Sequence, residues 1–212
     1  LIARAVKVNA GVWAQQLNVF TGPLQVNVNA DGRPTAGAVQ GGSGATPDFA
    51  VDVAALGGMY ANKIVLVGTE SGVGVRNAGT LGAGVGDVIV TTAGHVENIG
   101  RINAAGATHI SSAGLTNSGT LYASNNLTLT SAGHIHNSGL LASGLDLSLT
   151  TTGTHSNITS LANAVLGAGV QADGTVASGV GTLRAQATGR ISAQGQNLAG
   201  DAQHLTATTI DL

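Results

Sequence analysis

A repeat of about twenty residues is the feature that most limits how this chain can fold. The tripeptide Asn-x-Gly recurs at spacings of 21, 19 and 20 residues, as Asn77-Ala78-Gly79, Asn98-Ile99-Gly100, Asn117-Ser118-Gly119 and Asn137-Ser138-Gly139. A unit this short cannot enclose a core of its own, so successive copies must stack on one another.

Three aliphatic positions accompany each copy of the tripeptide. They lie two residues before the Asn, four after it, and twelve or thirteen after it; around the first copy they are Val75, Leu81 and Val90. Apolar and polar residues alternate around them, which is the spacing of a strand and not of a helix. The pattern predicts an all-β fold, a parallel β-helix (β-solenoid) with three short strands per turn and turns about 4.8 Å apart.

The composition suits a thin core of aliphatic side chains. Aromatic residues make up only 2% and charged residues 8% of the 212 positions, whereas 33 positions are Gly. Gly and Asn tolerate the backbone conformations that tight corners require. We expect the repeated Asn side chains to form a ladder along one corner, with each amide bonded to the next.

Composition and charge also exclude some classes of function. The formal net charge of −2 does not favour nucleic-acid binding, which needs clustered Lys and Arg. The sequence contains no run of about 18 apolar residues, so it predicts no membrane-spanning helix. The chain begins at Leu1 and shows no signal peptide, so we interpret it as a segment of a longer protein.

Two histidines two residues apart, His134 and His136, are the obvious candidates for a metal site. The repeat argues against this interpretation, because His136 falls in the outward position held by Arg76 and Glu97 in other copies. His134 aligns with His95 two turns away, about 9.6 Å at the expected turn spacing, which is too far to share one ion. Arg76 and Glu97 fall on adjacent turns, where an ion pair is possible.

Catalytic patterns are equally weak. The carboxylates are scattered, and a catalytic carboxylate pair needs its members within about 5 to 10 Å. A flat Thr array is suggested by Thr128 and Thr130, but His109 and Ser111 interrupt it on the preceding turn. We therefore predict no catalytic, cofactor-binding or metal site and no cofactor. A polysaccharide-processing β-helix enzyme stays the alternative.

One long stretch resembles a known family. The string PDFAVDVAALGGMYANKIVLVGTESGVGVRNAG (Pro47 to Gly79) is similar to the exoproteins of bacterial two-partner secretion, the filamentous haemagglutinins and contact-dependent growth-inhibition toxins. LIARAVKVNAGVWAQQLNVFTG (Leu1 to Gly22) resembles the region near the end of their secretion domain. NSGTLYASNNLTLTSAGHIHNSGLL (Asn117 to Leu141) is similar to their haemagglutinin repeats.

The resemblance implies a right-handed parallel β-helix in a filament on a Gram-negative cell surface, exported through an outer-membrane transporter. It implies a structural or adhesive shaft whose parent is an adhesin or carries a toxin, with host or bacterial surface glycans or receptors as further partners.

We divide the chain into four segments. Residues 1–46 are expected to hold turns near the end of the secretion domain and a Gly/Pro loop, and residues 47–152 the haemagglutinin-type repeats. Residues 153–180 should form an irregular turn or an insertion outside the helix, and residues 181–212 further turns. In this last segment alternation predicts five inward side chains: Leu183, Ile191, Leu198, Leu205 and Ile210.

Overall fold

The computed structural model describes residues 1–30, 34–39 and 44–212. In these residues all regular structure is β, and three parallel sheets wind into a solenoid of nine turns. Along each turn the chain passes through the first, second and third sheet in that order. The prediction of three strands per turn is confirmed. The stack has one turn fewer than the roughly ten that a repeat of about twenty residues would give over the whole chain.

The strand bounds follow by sheet. The first sheet contains β1 (Ile2–Ala3), β4 (Gln16–Thr21), β9 (Lys63–Gly68), β12 (Val88–Thr92), β15 (Thr108–Ser112), β18 (Leu127–Ser131), β21 (Leu147–Thr151), β24 (Leu183–Gln186) and β27 (Gln203–Thr206). The second contains β2 (Val6–Val8), β7 (Phe49–Val53), β10 (Gly74–Asn77), β13 (His95–Asn98), β16 (Gly114–Asn117), β19 (Ile135–Asn137), β22 (Ile158–Ser160), β25 (Arg190–Ala193) and β28 (Thr209–Asp211). The third contains β3 (Gly11–Trp13), β8 (Gly58–Ala61), β11 (Thr80–Ala83), β14 (Arg101–Ala104), β17 (Thr120–Ala123), β20 (Leu140–Ser143), β23 (Val165–Ala168) and β26 (Gln196–Ala199).

The core is a set of aliphatic columns that run along the solenoid. The predicted inward residues stack in register, each at most 2% exposed: Val75, Val96, Leu115 and Ile135 in the second sheet; Leu81, Ile102, Leu121 and Leu141 in the third; Val90, Ile110, Leu129 and Leu149 in the first. Because every inward side chain contacts equivalents on the turns above and below, small aliphatics suffice to fill the interior.

The predicted Asn ladder is present at the corner between the second and third sheets. The amide Nδ2 of Asn77 donates to Oδ1 of Asn98 at 2.8 Å, Asn98 donates to Asn117 at 2.7 Å, and Asn117 donates to Asn137 at 2.8 Å. Each Nδ2 also donates to a carbonyl in the third sheet of the following turn, such as Arg101 O at 3.1 Å. The ladder ends at Ser160 Oγ, 3.3 Å from Asn137 Nδ2.

The other two corners contain polar columns that the repeat search missed. Between the first and second sheets a buried hydroxyl precedes each corner, at Thr92, Ser112, Ser131 and Thr151. Thr92 Oγ1 donates to Val73 O at 3.1 Å. Between the third and first sheets, Asp87 and Asp146 accept backbone amides from the following turn at 2.9 and 2.8 Å. The sequence signal is a Ser or Thr two residues before Gly in TAG, SAG and TTG.

Two parts of the chain depart from the regular turn. Between β4 and β7, β5 (Leu24–Val28) and β6 (Pro34–Val39) form an antiparallel hairpin. It occupies part of the predicted Gly/Pro loop, of which residues 31–33 and 40–43 lie outside the described residues. Residues 153–180 contain β22 and β23, which continue the stack, and the connections 152–157 and 169–182 are long.

One predicted inward residue is wrong. Leu198 pairs with Gly167 and stands in an outward column, while Asn197 pairs with Leu166 and takes the inward position. Asn197 Nδ2 donates to Ala193 O at 2.8 Å, and its Oδ1 is buried with no partner among the described residues. Leu183 and Ile191 are fully buried, as predicted, and Leu205 packs against the core from the last turn. Ile210 pairs with Ile191 but is 45% exposed, since no described turn covers it.

Candidate binding groove

The histidines considered for metal binding have different surroundings. His134 is exposed, and its Nδ1 accepts the backbone amide of Asn157 at 2.9 Å. His136 lies two residues further along the chain, in the outward column that also contains Thr116 and Glu97. His95 Nε2 lies 3.0 Å from Thr116 Oγ1, and burial lowers the pKa of this imidazole while the nearby Glu97 opposes that effect. Within the described ranges no three His, Cys, Asp or Glu side chains form a group that could hold a metal ion.

The sequence suggested an ion pair between Arg76 and Glu97. In the structure, Arg76 instead pairs with Asp52 on the preceding turn. Nε and Nη2 of Arg76 donate to the two carboxylate oxygens at 2.9 and 3.0 Å, and the guanidinium carbon lies 4.5 Å from the centroid of the Phe49 ring. The hydrogen bond with Asp52 raises the pKa of Arg76, with smaller contributions from the charges of Glu97 and Asp48. This contact joins β7 to β10 on adjacent turns of the second sheet.

A second ion pair, Arg4–Glu70, ties the first turn to the loop after β9. Nη2 of Arg4 lies 2.6 Å from Oε1 of Glu70, and this hydrogen bond lowers the pKa of the carboxyl group. Lys63–Asp87 and Arg190–Asp211 pair in the same way between adjacent turns. These pairs fix register at the surface, where each contributes about 0 to 1 kcal/mol.

The Thr array stays interrupted in the structure. Thr128 pairs with His109 on one side and Ser148 on the other, so the outward column of the first sheet changes residue type at every turn. Thr130 lies between Ser111 and Thr150. The described residues therefore do not present the uniform Thr surface that the pattern suggested.

The outer face of the third sheet carries a groove that the sequence analysis did not predict. Its floor is the outward column Trp13, Tyr60, Gly82, Asn103, Tyr122, Ala142, Gly167 and Leu198, which we call the third-sheet groove. Two clefts of about 430 and 650 Å³ lie along it and share Arg101 and Asn103 as lining residues, so they form one continuous depression.

Two stacked aromatic rings lie at the first-turn end of the described third-sheet groove. The rings of Trp13 and Tyr60 are 4.2 Å apart at their centroids and inclined by 17°. Each ring leans back over a Gly two residues earlier on its own strand: a Cβ at Gly58 would lie 2.6 Å from Tyr60 Cε2, and one at Gly11 would lie 2.9 Å from Trp13 Nε1. The Gly-x-aromatic spacing of β3 and β8 is therefore required for this stack.

The long connection 169–182 closes the other end. Val170 is buried against the outward face, where a Cβ at Gly167 would come within 2.6 Å of its Cγ2 atom. Tyr122 Oη donates to Val170 O at 3.2 Å. Within the connection, the amide and hydroxyl of Thr175 donate to Asp173 Oδ1, which lowers the pKa of Asp173. The connection is thus a wall held by hydrogen bonds.

The chemistry of the third-sheet groove is that of a recognition surface. Of the described residues that line its two clefts, Arg101 is the one ionisable residue apart from the tyrosines, and no carboxylate is among them. The remaining polar groups are amides and hydroxyls, including Asn103, Thr120 and Gln171. Aromatic faces beside a few fixed polar groups are typical of ligand sites.

The described residues form no helix that is long and apolar enough to cross a membrane. Residues 1–98 match the family model for the TPS secretion domain. No solved structure matches the chain.

Three curated relatives illustrate the similarity. The chain is 45% identical over 221 residues to Toxin CdiA of Yersinia pestis and 35% identical over 214 residues to tRNA nuclease CdiA of Yersinia mollaretii; both alignments cover 100% of the chain and 6% of the relative. It is 39% identical over 155 residues to 16S rRNA endonuclease CdiA of Enterobacter cloacae, an alignment that covers 73% of the chain and 4% of that relative. The chain thus spans a small part of the length of these proteins.

Proposed function

The chain is a segment of an exoprotein of the two-partner secretion family, and we propose that its nine turns form a stiff shaft that holds distant parts of the protein away from the cell. Proteins of this family are secreted and displayed on the surface of Gram-negative bacteria. The inward aliphatic column of the second sheet, which runs without a break from Val6 to Ile210, is the observation that supports the shaft. Eight spacings of about 4.8 Å give the segment a length of about 38 Å.

Refolding tests the shaft directly. Because each turn needs only its neighbour as a template, the 212-residue chain diluted from urea should regain its β circular dichroism without a chaperone. Leu121→Asp, which buries a carboxylate in the middle of a column, is the matched variant that should fail to refold under the same conditions. A wild-type chain that stays unfolded or aggregates would contradict a self-templating shaft.

The transporter is the proposed partner during export. The match to the secretion-domain model over residues 1–98 supports recognition of the first turns by an outer-membrane transporter. Deletion of residues 1–22 should abolish secretion of the longer protein in cells that make the transporter. Deletion of residues 183–212, which removes a similar number of strands from the other end, should leave secretion largely intact. Equal secretion of both deletions would refute the assignment.

Surface glycans or receptors are further proposed partners, and we propose no catalytic role for this segment. The positions of the carboxylates support a non-catalytic role, since Asp52 and Glu70 are each bound by an Arg. The nuclease activities in the names of relatives belong to proteins of which this chain matches 3–6% of the length. Whether the parent is an adhesin or carries a toxin depends on parts outside this segment.

The division of the chain also stays a proposal. We place turns near the end of the secretion domain in residues 1–46 and haemagglutinin-type repeats in residues 47–152. The secretion-domain match continues to residue 98, so we propose that residues 47–98 serve both regions. The irregular segment 153–180 and the turns of residues 181–212 then extend the same shaft.

A further inference from the structure

Aromatic residues are concentrated on one surface of this molecule. The chain has one Trp, two Tyr and two Phe, and the Trp and both Tyr stand in the single outward column of the third-sheet groove. The hydrophobic core does not require aromatic side chains, since its columns are aliphatic. Aromatic side chains that the core does not need, gathered in one outward column, therefore indicate a binding surface.

The missing side chain of Gly82 opens a slot beside the aromatic stack. Trp13 covers one face of Tyr60 from the preceding turn, so the other face looks toward the following turn, where Gly82 stands. A Cβ at Gly82 would already lie 3.3 Å from Tyr60 Cδ1. The slot is therefore one turn wide, about 4.8 Å along the solenoid axis, which leaves room for one ring stacked flat on Tyr60.

The polar groups around the slot are of the kind that bind sugar hydroxyls. Arg101 and Asn103 belong to the next turn and are exposed, and Thr80 lies on the same strand as Gly82. Among the described residues no carboxylate lies within ion-pair distance of Arg101, so its guanidinium donors are available to a ligand. The carboxylate-free lining would not repel an acidic sugar.

We propose that the third-sheet groove binds a linear glycan, with one pyranose ring stacked on the free face of Tyr60 above Gly82 and its hydroxyls bonded by Arg101 and Asn103. This inference rests on the proposed role at the cell surface and gives that role a site and a ligand class. A polypeptide is the competing occupant.

Trp13 supplies the readout, because it is the only Trp of the chain and stacks on the proposed platform. The 212-residue chain is titrated with chitohexaose, with a hyaluronan hexasaccharide and with an uncharged Gly-Ser peptide, and its fluorescence is recorded. We expect saturable changes with one or both hexasaccharides and none with the peptide. Response to both sugars indicates recognition of the pyranose ring alone, and response to hyaluronan alone indicates a uronate held by Arg101.

Two variants localise the binding. Tyr60→Ala removes the platform and Gly82→Leu fills the slot, and each should weaken sugar binding at least tenfold, measured by calorimetry because Tyr60→Ala also alters the environment of Trp13. Ser148→Ala, at an outward position of the first sheet, should bind as the wild type does. Circular dichroism that matches the wild type separates loss of the site from loss of the shaft. Absence of binding to both sugars, equal binding of the peptide, or full binding by Gly82→Leu would overturn the proposal.

Discussion

The four turns from Gly74 to Thr151 and the turn that follows them, up to Gln186, have the same buried columns but different corners. In the regular turns the corners are short, and the Asn ladder crosses one of them. In the following turn Ser160 takes the place of Asn, and long connections replace two corners. The comparison indicates that the inward aliphatic side chains hold the turns together. The length of each corner determines which segments extend outside the stack.

The largest expected effect tests whether both regions share one core. Leu121→Ala in a regular turn and Leu166→Ala in the following turn each remove a buried side chain, at 0% and 1% exposure, from the same column of the third sheet. Both should lower the free energy of unfolding by about 2 to 5 kcal/mol. We expect Leu121→Ala to cost more, because Leu166 has Asn197 as one neighbour.

Urea denaturation followed by circular dichroism measures both variants. The exposed Leu145→Ala serves as a control and should change little. A cost well below about 1 kcal/mol for Leu166→Ala would mean that the irregular turn does not belong to the same packed core.

The Asn ladder predicts a smaller, position-dependent effect. Asn117→Val in the middle removes both the acceptor of Asn98 and the donor to Asn137, and it should cost about 2 kcal/mol. Asn77→Val at the first position should cost less, because the Oδ1 atom of Asn77 has no partner among the described residues and Val53 holds the same position one turn earlier. Chemical denaturation compares the pair. Equal costs would show that the ladder does not act as a connected chain.

The smallest effect concerns the wall formed by residues 169–182. Gly167→Ala places a methyl group 2.6 Å from Val170 Cγ2, too close for a normal contact, and it should displace Val170 at a cost of about 1 kcal/mol. The displaced connection should be cut faster by limited proteolysis between residues 169 and 182. Gly82→Ala, in the same column but away from the wall, is the control and should leave the cleavage rate unchanged. An unchanged rate for Gly167→Ala would mean that Val170 does not hold the connection.

The sequence by itself determined the regular part of the molecule. Alternation with a period of two assigns each residue to the inner or outer face of its strand. A constant turn length places equivalent residues on top of each other, so Val96, Leu115 and Ile135 can be aligned from the repeat alone. The same constancy predicted the amide ladder.

Features that depend on the register between turns of unequal length follow from the three-dimensional structure and not from the repeat. The hairpin lies between Trp13 and Tyr60, so their stacking does not follow from a fixed period. Asp52 and Arg76 are 24 residues apart and the register shifts at Gly74, so a period of twenty does not give their pairing either. Near the end of the chain, a shift of one residue put Asn197 inside and Leu198 outside. In a strand such a shift exchanges the two faces, and the length of an irregular connection, which sets the shift, is fixed by packing and hydrogen bonds between distant residues.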